Sequence, residues 1–295
     1  MTLAWPLPGR DGKKLYVVGR ILRGELVRWD SKTGQFATFL SGISAQDVSF
    51  SKDGQWVAYV SYPEGALWRS RPDGSERFQL SYSPLYAMEP RWSPDGTQIV
   101  FFDISAGKLP RTYLVSAKGG SPQELMPEEP DQQMDPNWSP DGAKIVFAAF
   151  PAPRAAIHVF DLRTHHVSTL PGSEGLFSPR WSPDGRYIAA MPADSLSIVL
   201  YDFETQHWSE LAKANAGYPS WSRDGQYVYF LSAPNAPAVL RVRIGDRKLE
   251  QVVDLKSIRM AGYFDFWLGL AADDSPLLLR DTGTQEIYAL DWEAP

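Results

Sequence analysis

Apolar and polar residues alternate in short segments along the whole chain, which is the period of a half-buried β-strand. After glycines 96, 142 and 225 the alternating apolar positions are Ile99 and Phe101, Ile145 and Phe147, and Val228 and Phe230. Further strand-like segments follow at 112–116, 157–161, 197–202 and 239–244, and shorter ones at 167–170 and 248–253. The pattern predicts an all-β protein whose units each contain four strands, a to d.

The strands are punctuated by a repeated turn sequence. Trp-Ser-Pro-Asp-Gly occurs at 92–96, 138–142 and 181–185, with variants at 221–225 and 50–54 and weaker copies at 9–12 and 272–275. Proline presets φ for a turn, aspartate accepts a hydrogen bond from the backbone two residues on, and glycine tolerates positive φ. Each copy therefore predicts a hairpin between strands a and b.

The spacing of the turns predicts the fold. The aligned aspartates are residues 11, 53, 95, 141, 184, 224 and 274, separated by 42, 42, 46, 43, 40 and 50 residues. A period of this length with β-type patterning is typical of propeller blades. We predict a single β-propeller of seven four-stranded blades, with six as the alternative, covering about 2–42, 43–84, 85–127, 132–171, 175–213, 216–254 and 262–295.

The predicted last blade lacks its outer strand. Residues 2–7 are assigned to strand a of the first blade, so no segment remains to complete the seventh. Either further N-terminal sequence exists, or the ring closes by packing the last blade on the first. An exposed strand edge is a liability, which favours further N-terminal sequence.

The repeated motif residues are interpreted as structural. The tryptophans are expected to wedge one blade against the next, where a buried indole contributes a few kcal/mol, and the aspartates to hold the turns. These residues are Asp53, Trp92, Asp95, Trp138, Asp141, Trp181, Asp184, Trp221 and Asp224.

Composition narrows the function classes. The 295 residues carry a net charge of −6 and include no cysteine, so disulfides, thiol catalysis and cysteine-zinc sites are excluded. The acidic chain lacks the basic footprint of a nucleic-acid binder. It shows neither a long apolar span nor a signal peptide. We expect a monomer without membrane insertion, whose compartment the residues leave open.

The Trp-Ser-Pro-Asp-Gly copies resemble the Pro-Asp-Gly repeats of TolB, of tricorn protease and of the propellers of prolyl-oligopeptidase-type peptidases. Segments 23–28, 54–59, 67–71 and 277–281 look like the C-terminal propellers of bacterial sensor-regulators that carry a winged helix. The resemblance implies a sensory or partner-binding role and favours the periplasm. The winged helix and the membrane span of those regulators are missing here, so DNA binding is not carried over.

Candidate catalytic groups are sparse. The four histidines, His158, His165, His166 and His207, fall on a strand c or on outer turns, away from the predicted axis. There is no Gly-x-Ser-x-Gly elbow, P-loop or dinucleotide fingerprint. We predict no catalytic residue, no metal and no cofactor.

Three acids form the pattern that suggests binding. Asp47, Glu89 and Asp135 each lie six residues before a motif aspartate, where the next two repeats have Ser178 and Tyr218. This position falls early in strand a, near the axis and opposite the Asp-Gly turns. We expect a negative arc in a funnel mouth that attracts a cation or a basic peptide. Alternatively, the acids accept hydrogen bonds from backbone N–H groups of the adjacent blade.

The loops between strands b and c should surround the same funnel, and loops on a rigid scaffold often carry recognition. Arg111, Arg154, Tyr218 and Phe264 are candidate rim contacts. The leading hypothesis is a non-catalytic propeller that binds a protein segment or small ligand, as part of a larger regulator or TolB-like system. The alternatives are a propeller polysaccharide lyase or peptide hydrolase with an axial active site, and a ring without a ligand.

Overall fold

The computed structural model describes residues 2–10, 12–149, 155–233 and 236–291, and these are almost entirely β-strands and turns. One 3-10 turn, Leu40–Gly42, interrupts them. In these ranges no helix has the length and apolar character required to cross a membrane. The first fourteen strands are β1 Thr2–Pro8, β2 Lys14–Ile21, β3 Gly24–Asp30, β4 Gln35–Thr38, β5 Ala45–Phe50, β6 Val57–Ser61, β7 Leu67–Ser70, β8 Phe78–Gln79, β9 Ala87–Trp92, β10 Gln98–Asp103, β11 Arg111–Ser116, β12 Gln123–Glu124, β13 Met134–Trp138 and β14 Lys144–Ala149. The remaining strands are β15 Ala156–Asp161, β16 His166–Thr169, β17 Leu176–Trp181, β18 Tyr187–Pro192, β19 Ser197–Asp202, β20 His207–Lys213, β21 Gly217–Trp221, β22 Tyr227–Ser232, β23 Ala238–Arg243, β24 Leu249–Asp254, β25 Leu268–Leu270, β26 Pro276–Asp281 and β27 Thr284–Asp291.

These strands form seven antiparallel sheets, which confirms the predicted all-β propeller. Six sheets of the described chain have four strands, and the seventh, β1-β2-β27, has three. We call the four-stranded sheets blade 1 (β5–β8), blade 2 (β9–β12), blade 3 (β13–β16), blade 4 (β17–β20), blade 5 (β21–β24) and blade 6 (β25, β26, β3, β4).

The six four-stranded blades form a closed ring. Their innermost strands contact one another in the cyclic order β5, β9, β13, β17, β21, β25 and back to β5. The three-stranded sheet contributes no strand to this inner circle. The ring is therefore the six-bladed alternative, and the first copy of the turn sequence, between β1 and β2, belongs to the sheet outside it.

Blade 6 closes the ring with strands from both parts of the chain. Strand β3 pairs with β26, and β4 pairs with β3, so the blade has its outer strand. The prediction that the last blade lacks this strand is wrong, because residues 24–38 complete it. The predicted unit 2–42 is accordingly divided between two sheets.

The three-stranded sheet is a continuation of blade 6. Asp281 pairs with Gly24, Thr282 donates its N–H to the carbonyl of Arg23, and Thr284 pairs with Ile21. The register is thus unbroken, and β2 and β27 extend β3 and β26 beyond the face where other blades have their b–c loops. We call β1, β2 and β27 the arm. The last described strand of the chain, β27, pairs with β2 and therefore supplies no strand to the ring.

The core lies between neighbouring blades. Its fully buried side chains are mostly aliphatic residues of strands b and c, together with Tyr59, Phe101 and Phe230. The arm is different, because Trp5, Leu7 and Ile287 are 63%, 67% and 76% exposed. Burial of apolar surface therefore stabilises the ring and contributes little in the arm.

The repeated turns make the same hydrogen bonds in blades 1 to 5. In blade 2 the Ser93 hydroxyl and the Thr97 N–H both donate to Asp95, and the N–H of Gly96 donates to the carbonyl of Ser93. In blade 6 the N–H of Ser275 donates to Asp273 and the positive φ falls on Asp274. Asp273, and not Asp274, therefore occupies the motif position.

The motif tryptophans connect neighbouring blades. The indole N–H groups of Trp92, Trp138 and Trp221 donate to the carbonyls of Ser49, Arg91 and Arg180 in the preceding blade. Trp181 differs, because its indole N–H donates to Gly185 in its own turn.

Candidate functional site

Two cavities lie on the axis of the ring, one at each face. The cavity at the face of the Asp-Gly turns has a volume of about 590 Å³ and is called the turn-side cavity. The cavity at the opposite face has a volume of about 540 Å³ and is called the loop-side cavity. Both volumes are in the range of small-ligand sites.

A β-bulge in five of the inner strands places the predicted acids. The pairing of strands a and b shifts register once in each of blades 1 to 5. The residue six positions before the motif aspartate has positive φ in each of them: Asp47, Glu89, Asp135, Ser178 and Tyr218. A bulge redirects side chains and often lies beside a functional site. Here it produces a ring of equivalent positions around the axis.

Asp47 lies inside the protein. It is 1% exposed, and one carboxylate oxygen accepts hydrogen bonds from the N–H of Glu89 at 3.2 Å and from the side chain of Gln46 at 3.3 Å. The other oxygen is buried without a hydrogen-bond partner in the described residues. Asp47 thus bonds a backbone N–H of the adjacent blade, and it lines neither cavity.

Glu89 is held by two arginines. The carboxylate accepts a hydrogen bond from Arg91 at 3.0 Å and another from Arg180, which lies two blades away and is 3% exposed. Each arginine also donates to the carbonyl of the proline that precedes it. The three acids and two arginines form a buried group that we call the charge layer, and it replaces the open negative arc that the sequence predicted.

The arginines of the charge layer were missed by sequence reasoning. Arg91 and Arg180 lie four residues before motif aspartates, two residues after the bulge position. Their place in the repeat could have identified them, because a charged side chain just before the motif tryptophan lies on the same inner strand as the acids and close to the axis. The partners themselves could not be read from the sequence, since Glu89 and Arg180 come from different blades.

The charge layer changes the ionisation of its acids. Burial, and then the negative charge of Glu89, raise the pKa of Asp47 to about 7. The same two causes raise the pKa of Asp135 to about 7, although Arg180 and Arg91 oppose the shift. Burial, and then the charge of Arg180, lower the pKa of Arg91. The charged forms of Asp47, Asp135 and Arg91 are therefore only partly stabilised by their neighbours.

The loop-side cavity is largely apolar. Its wall contains Phe102, Phe177, Phe264 and Phe266, with Met134, Met191 and Leu231 between them. Glu89 and Asp135 lie at the charge layer, and Asp194, Ser195 and Asn215 add polar groups. No lysine or arginine is among its described lining residues. The cavity thus combines aromatic walls with a carboxylate-bearing end.

The candidate rim residues have different places in the structure. Tyr218 and Phe264 line the loop-side cavity, and Tyr218 packs edge-on against Phe266 with ring centroids 5.9 Å apart. Phe264 is 52% exposed. Arg111 lines neither cavity, because its guanidinium bonds the carbonyls of Glu129 and Asp131 and lies 3.6 Å from Glu124. Arg154 lies outside the described residues.

The turn-side cavity is formed mainly by residues of the repeated motif, with Trp267 from the segment before β25 added to its wall. Its wall contains the five rings of Trp92, Trp138, Trp181, Trp221 and Trp267, and Arg91 and Arg180 lie at the charge layer. Lys52, Arg223 and Asp274 add charges to the lining.

No described histidine lines either cavity. His158, on β15 of blade 3, is hydrogen-bonded to Thr169 at 3.2 Å and stacks on Phe147 of β14. Across the described ranges, no group of three or more histidines and acids is arranged to hold a metal ion. The cavities therefore contain groups suited to binding, and an acid-base pair with histidine is not among them.

The ring of antiparallel blades around two axial cavities defines the protein as a β-propeller. The chain belongs to the family PD40, the TolB beta propeller domain, which matches residues 105–253. Those residues span blades 3 to 5 and half of blade 2.

Solved structures show the same fold. The putative TolB from Agrobacterium tumefaciens has a TM-score of 0.70 and 19% identity, covering 88% of this chain and 99% of that one. TolB from Acinetobacter baumannii has a TM-score of 0.62 and 18% identity, covering 95% of this chain and 66% of that one. A chain of a nidogen/laminin complex has a TM-score of 0.62 and 13% identity, covering 81% and 92%. No curated protein sequence matches.

Proposed function

We propose that this chain is a non-catalytic binding propeller whose loop-side cavity receives a peptide segment with apolar side chains and one basic group. The observation that carries the proposal is the combination of aromatic walls with Glu89 and Asp135 in a cavity that has no described basic lining residue. Apolar side chains would displace water from the walls, and the cation would complement the carboxylates.

The electrostatics of the charge layer support a cationic group on this side. Glu89 and Asp135 of the layer line the loop-side cavity, whereas Arg91 and Arg180 line the turn-side cavity. Because Asp135 has a pKa of about 7, it carries a proton part of the time at neutral pH. A bound ammonium or guanidinium group would stabilise the ionised carboxylate and release that proton. Affinity should therefore increase as the pH rises from 6 to 8.

Similarity to TolB structures and to a chain of a nidogen/laminin complex is consistent with a protein partner. A sensory role within a larger regulator, and a periplasmic location, belong to the same proposal and rest on the sequence resemblance. The proposal includes no catalytic role, since no described histidine lines either cavity to serve as an acid-base group.

Two matched peptides test the proposal, acetyl-Phe-Lys-Phe-amide and acetyl-Phe-Glu-Phe-amide. We expect calorimetry at pH 7.5 to show that the lysine peptide binds at least about tenfold more tightly, because only its charge complements Asp135 and Glu89. Phe264→Ala should weaken its binding by about fivefold through lost aromatic contact, and Asp135→Asn should remove most of the pH dependence.

Leu249→Ala is the control for Phe264→Ala, because Leu249 is a similarly exposed apolar residue on the outer strand of blade 5, 44% exposed against 52%. Equal affinity for the two peptides, or the same loss of affinity in Leu249→Ala and Phe264→Ala, would contradict the proposal.

A further inference from the structure

The two axial cavities have opposite charge. Glu89, Asp135 and Asp194 line the loop-side cavity, whereas Lys52, Arg91, Arg180 and Arg223 line the turn-side cavity with Asp274 as its one described acid. The charge layer separates them, with its guanidinium groups toward the turns. The turn-side cavity therefore has the character of an anion site, although the whole chain has a net charge of −6.

Hydrogen-bond donors encircle the inner end of the turn-side cavity. The residue four positions before each motif aspartate lines the cavity in all six blades, and these residues are Ser49, Arg91, Asn137, Arg180, Ser220 and Gly269. Five of the six carry donors, and we call these five the donor ring. At the sixth position the ring of Trp267 lies 2.4 Å from where a Cβ on Gly269 would be, so a larger residue has no room there.

The arginines of the donor ring have unused hydrogen-bonding capacity. The Nε of Arg180 is buried and has no hydrogen-bond partner in the described part of the chain. Arg91 and Arg180 share a single strong acceptor, Glu89, and otherwise donate to proline carbonyls. A buried donor without a partner is costly. Burial, and then the positive charge of Arg180, lower the pKa of Arg91.

We propose that the turn-side cavity is a second binding site, which takes a ligand through a carboxylate held by Arg91 and Arg180. A guanidinium presents N–H groups in a plane that matches the two oxygens of a carboxylate. The serines and Asn137 of the donor ring line the same cavity and would add neutral hydrogen-bond donors. Lys52 and Arg223 lie closer to the turns and would attract an anion to the mouth.

The walls favour a small or terminal group over a long charged chain. Three of the five indole N–H groups are already bonded to neighbouring blades, so the aromatic walls are rigid and offer mainly apolar surface. A cavity of about 590 Å³ accommodates a small organic acid or the last residues of a peptide. In both cases the recognised group is a carboxylate.

Three probes distinguish these sources by calorimetry at fixed ionic strength: succinate, acetyl-tetraalanine with a free C-terminal carboxylate, and the same peptide as its amide. We expect at least one of the two carboxylate probes to bind and the amide to bind at least about tenfold more weakly. Succinate binding alone would identify a small organic acid, and peptide binding alone would identify a chain terminus.

Three variants locate the site. Arg91→Gln should weaken carboxylate binding by at least about tenfold. Because Arg91→Gln leaves Glu89 with fewer partners and could unfold the protein, two milder variants accompany it. The double variant Ser49→Ala/Ser220→Ala should weaken binding by about threefold to tenfold, through lost neutral hydrogen bonds. Lys52→Glu should weaken binding by about threefold, more strongly at low salt.

Lys118→Glu is the matched control for Lys52→Glu, because it makes the same charge change on an exposed outer turn of blade 2. It should bind the probes as the unmodified protein does. The proposal is overturned if neither carboxylate binds, if the amide binds as well as the acid, or if Lys118→Glu and Lys52→Glu have equal effects.

Discussion

At the scale of single residues, the axial chemistry depends on a backbone conformation that side chains normally avoid. The residue at each bulge has φ between 46° and 55°, including Tyr218 and Glu89, where glycine would be the usual choice. Non-glycine residues in the left-handed region cost about 1 kcal/mol or more. The packing of the ring maintains this conformation at five positions. The bulge in turn directs the five side chains to the axis.

Ser178 tests this cost without touching the charge layer. It is buried, with a φ of 53°. We expect Ser178→Val to lower the free energy of unfolding by about 1–2 kcal/mol, since a β-branched residue tolerates positive φ poorly. Ser178→Gly should be neutral or slightly stabilising. Urea unfolding of both variants gives the comparison, and equal destabilisation by valine and glycine would show that backbone strain is not the cause.

The sequence predicted only part of this arrangement of axial residues. The common offset of Asp47, Glu89 and Asp135 from the motif corresponds to one shared feature, the bulge position of an inner strand. Their burial and their arginine partners could not be predicted, because pairing across the ring depends on which blades face each other. The predicted binding roles of Tyr218 and Phe264 remain predictions, and the positions of both at the loop-side cavity are compatible with them.

At the scale of elements, blade 6 determines how the ring is closed. Its central strands β26 and β3 come from opposite parts of the chain, and Leu26, Val27, Leu277, Leu278 and Leu279 are fully buried there. Arg280 and Glu25 pair across the two strands and form an ion pair, and the Arg280 hydrogen bond lowers the pKa of Glu25. The repeat motif could not reveal this closure, because β3 and β4 carry no Asp-Gly turn of their own in the ring.

Two truncations separate the closing strands from the arm. A chain of residues 22–283 lacks the arm and should keep a cooperative unfolding transition close to that of the full chain. A chain of residues 43–283 also lacks β3 and β4, which exposes the apolar strand β26, and should unfold at a much lower temperature or aggregate. Thermal unfolding by circular dichroism measures both. Equal loss of stability in the two truncations would contradict closure through β3.

At the scale of the whole molecule, the charge layer links stability to pH. Asp47 and Asp135 have a pKa of about 7 in the folded protein, well above the value of about 3.9 for an unfolded aspartate. Between these values the folded state binds more protons than the unfolded state. The contribution of these groups to stability is therefore complete below pH 4 and is lost as the pH rises through 7.

We expect the free energy of unfolding to fall between pH 5 and 7.5, by about 1 kcal/mol per pH unit for each proton released. Asp135→Asn removes one of these groups, so the difference between its curve and that of the unmodified protein should carry the slope. Asp246→Asn, on an exposed outer turn, serves as the control. Parallel curves for Asp135→Asn and the unmodified protein would contradict the assignment.

The unbroken register from blade 6 into the arm makes this blade the place where a pulling force would open the ring. Lys14 pairs with Asp291 at the tip of the ribbon, so a force that separates these two residues loads the hydrogen bonds between β2 and β27 one pair at a time. The same ladder then continues into β3 and β26. Tension applied across this tip would therefore break the hydrogen bonds of β2 and β27 first and then those of β3 and β26, which opens blade 6.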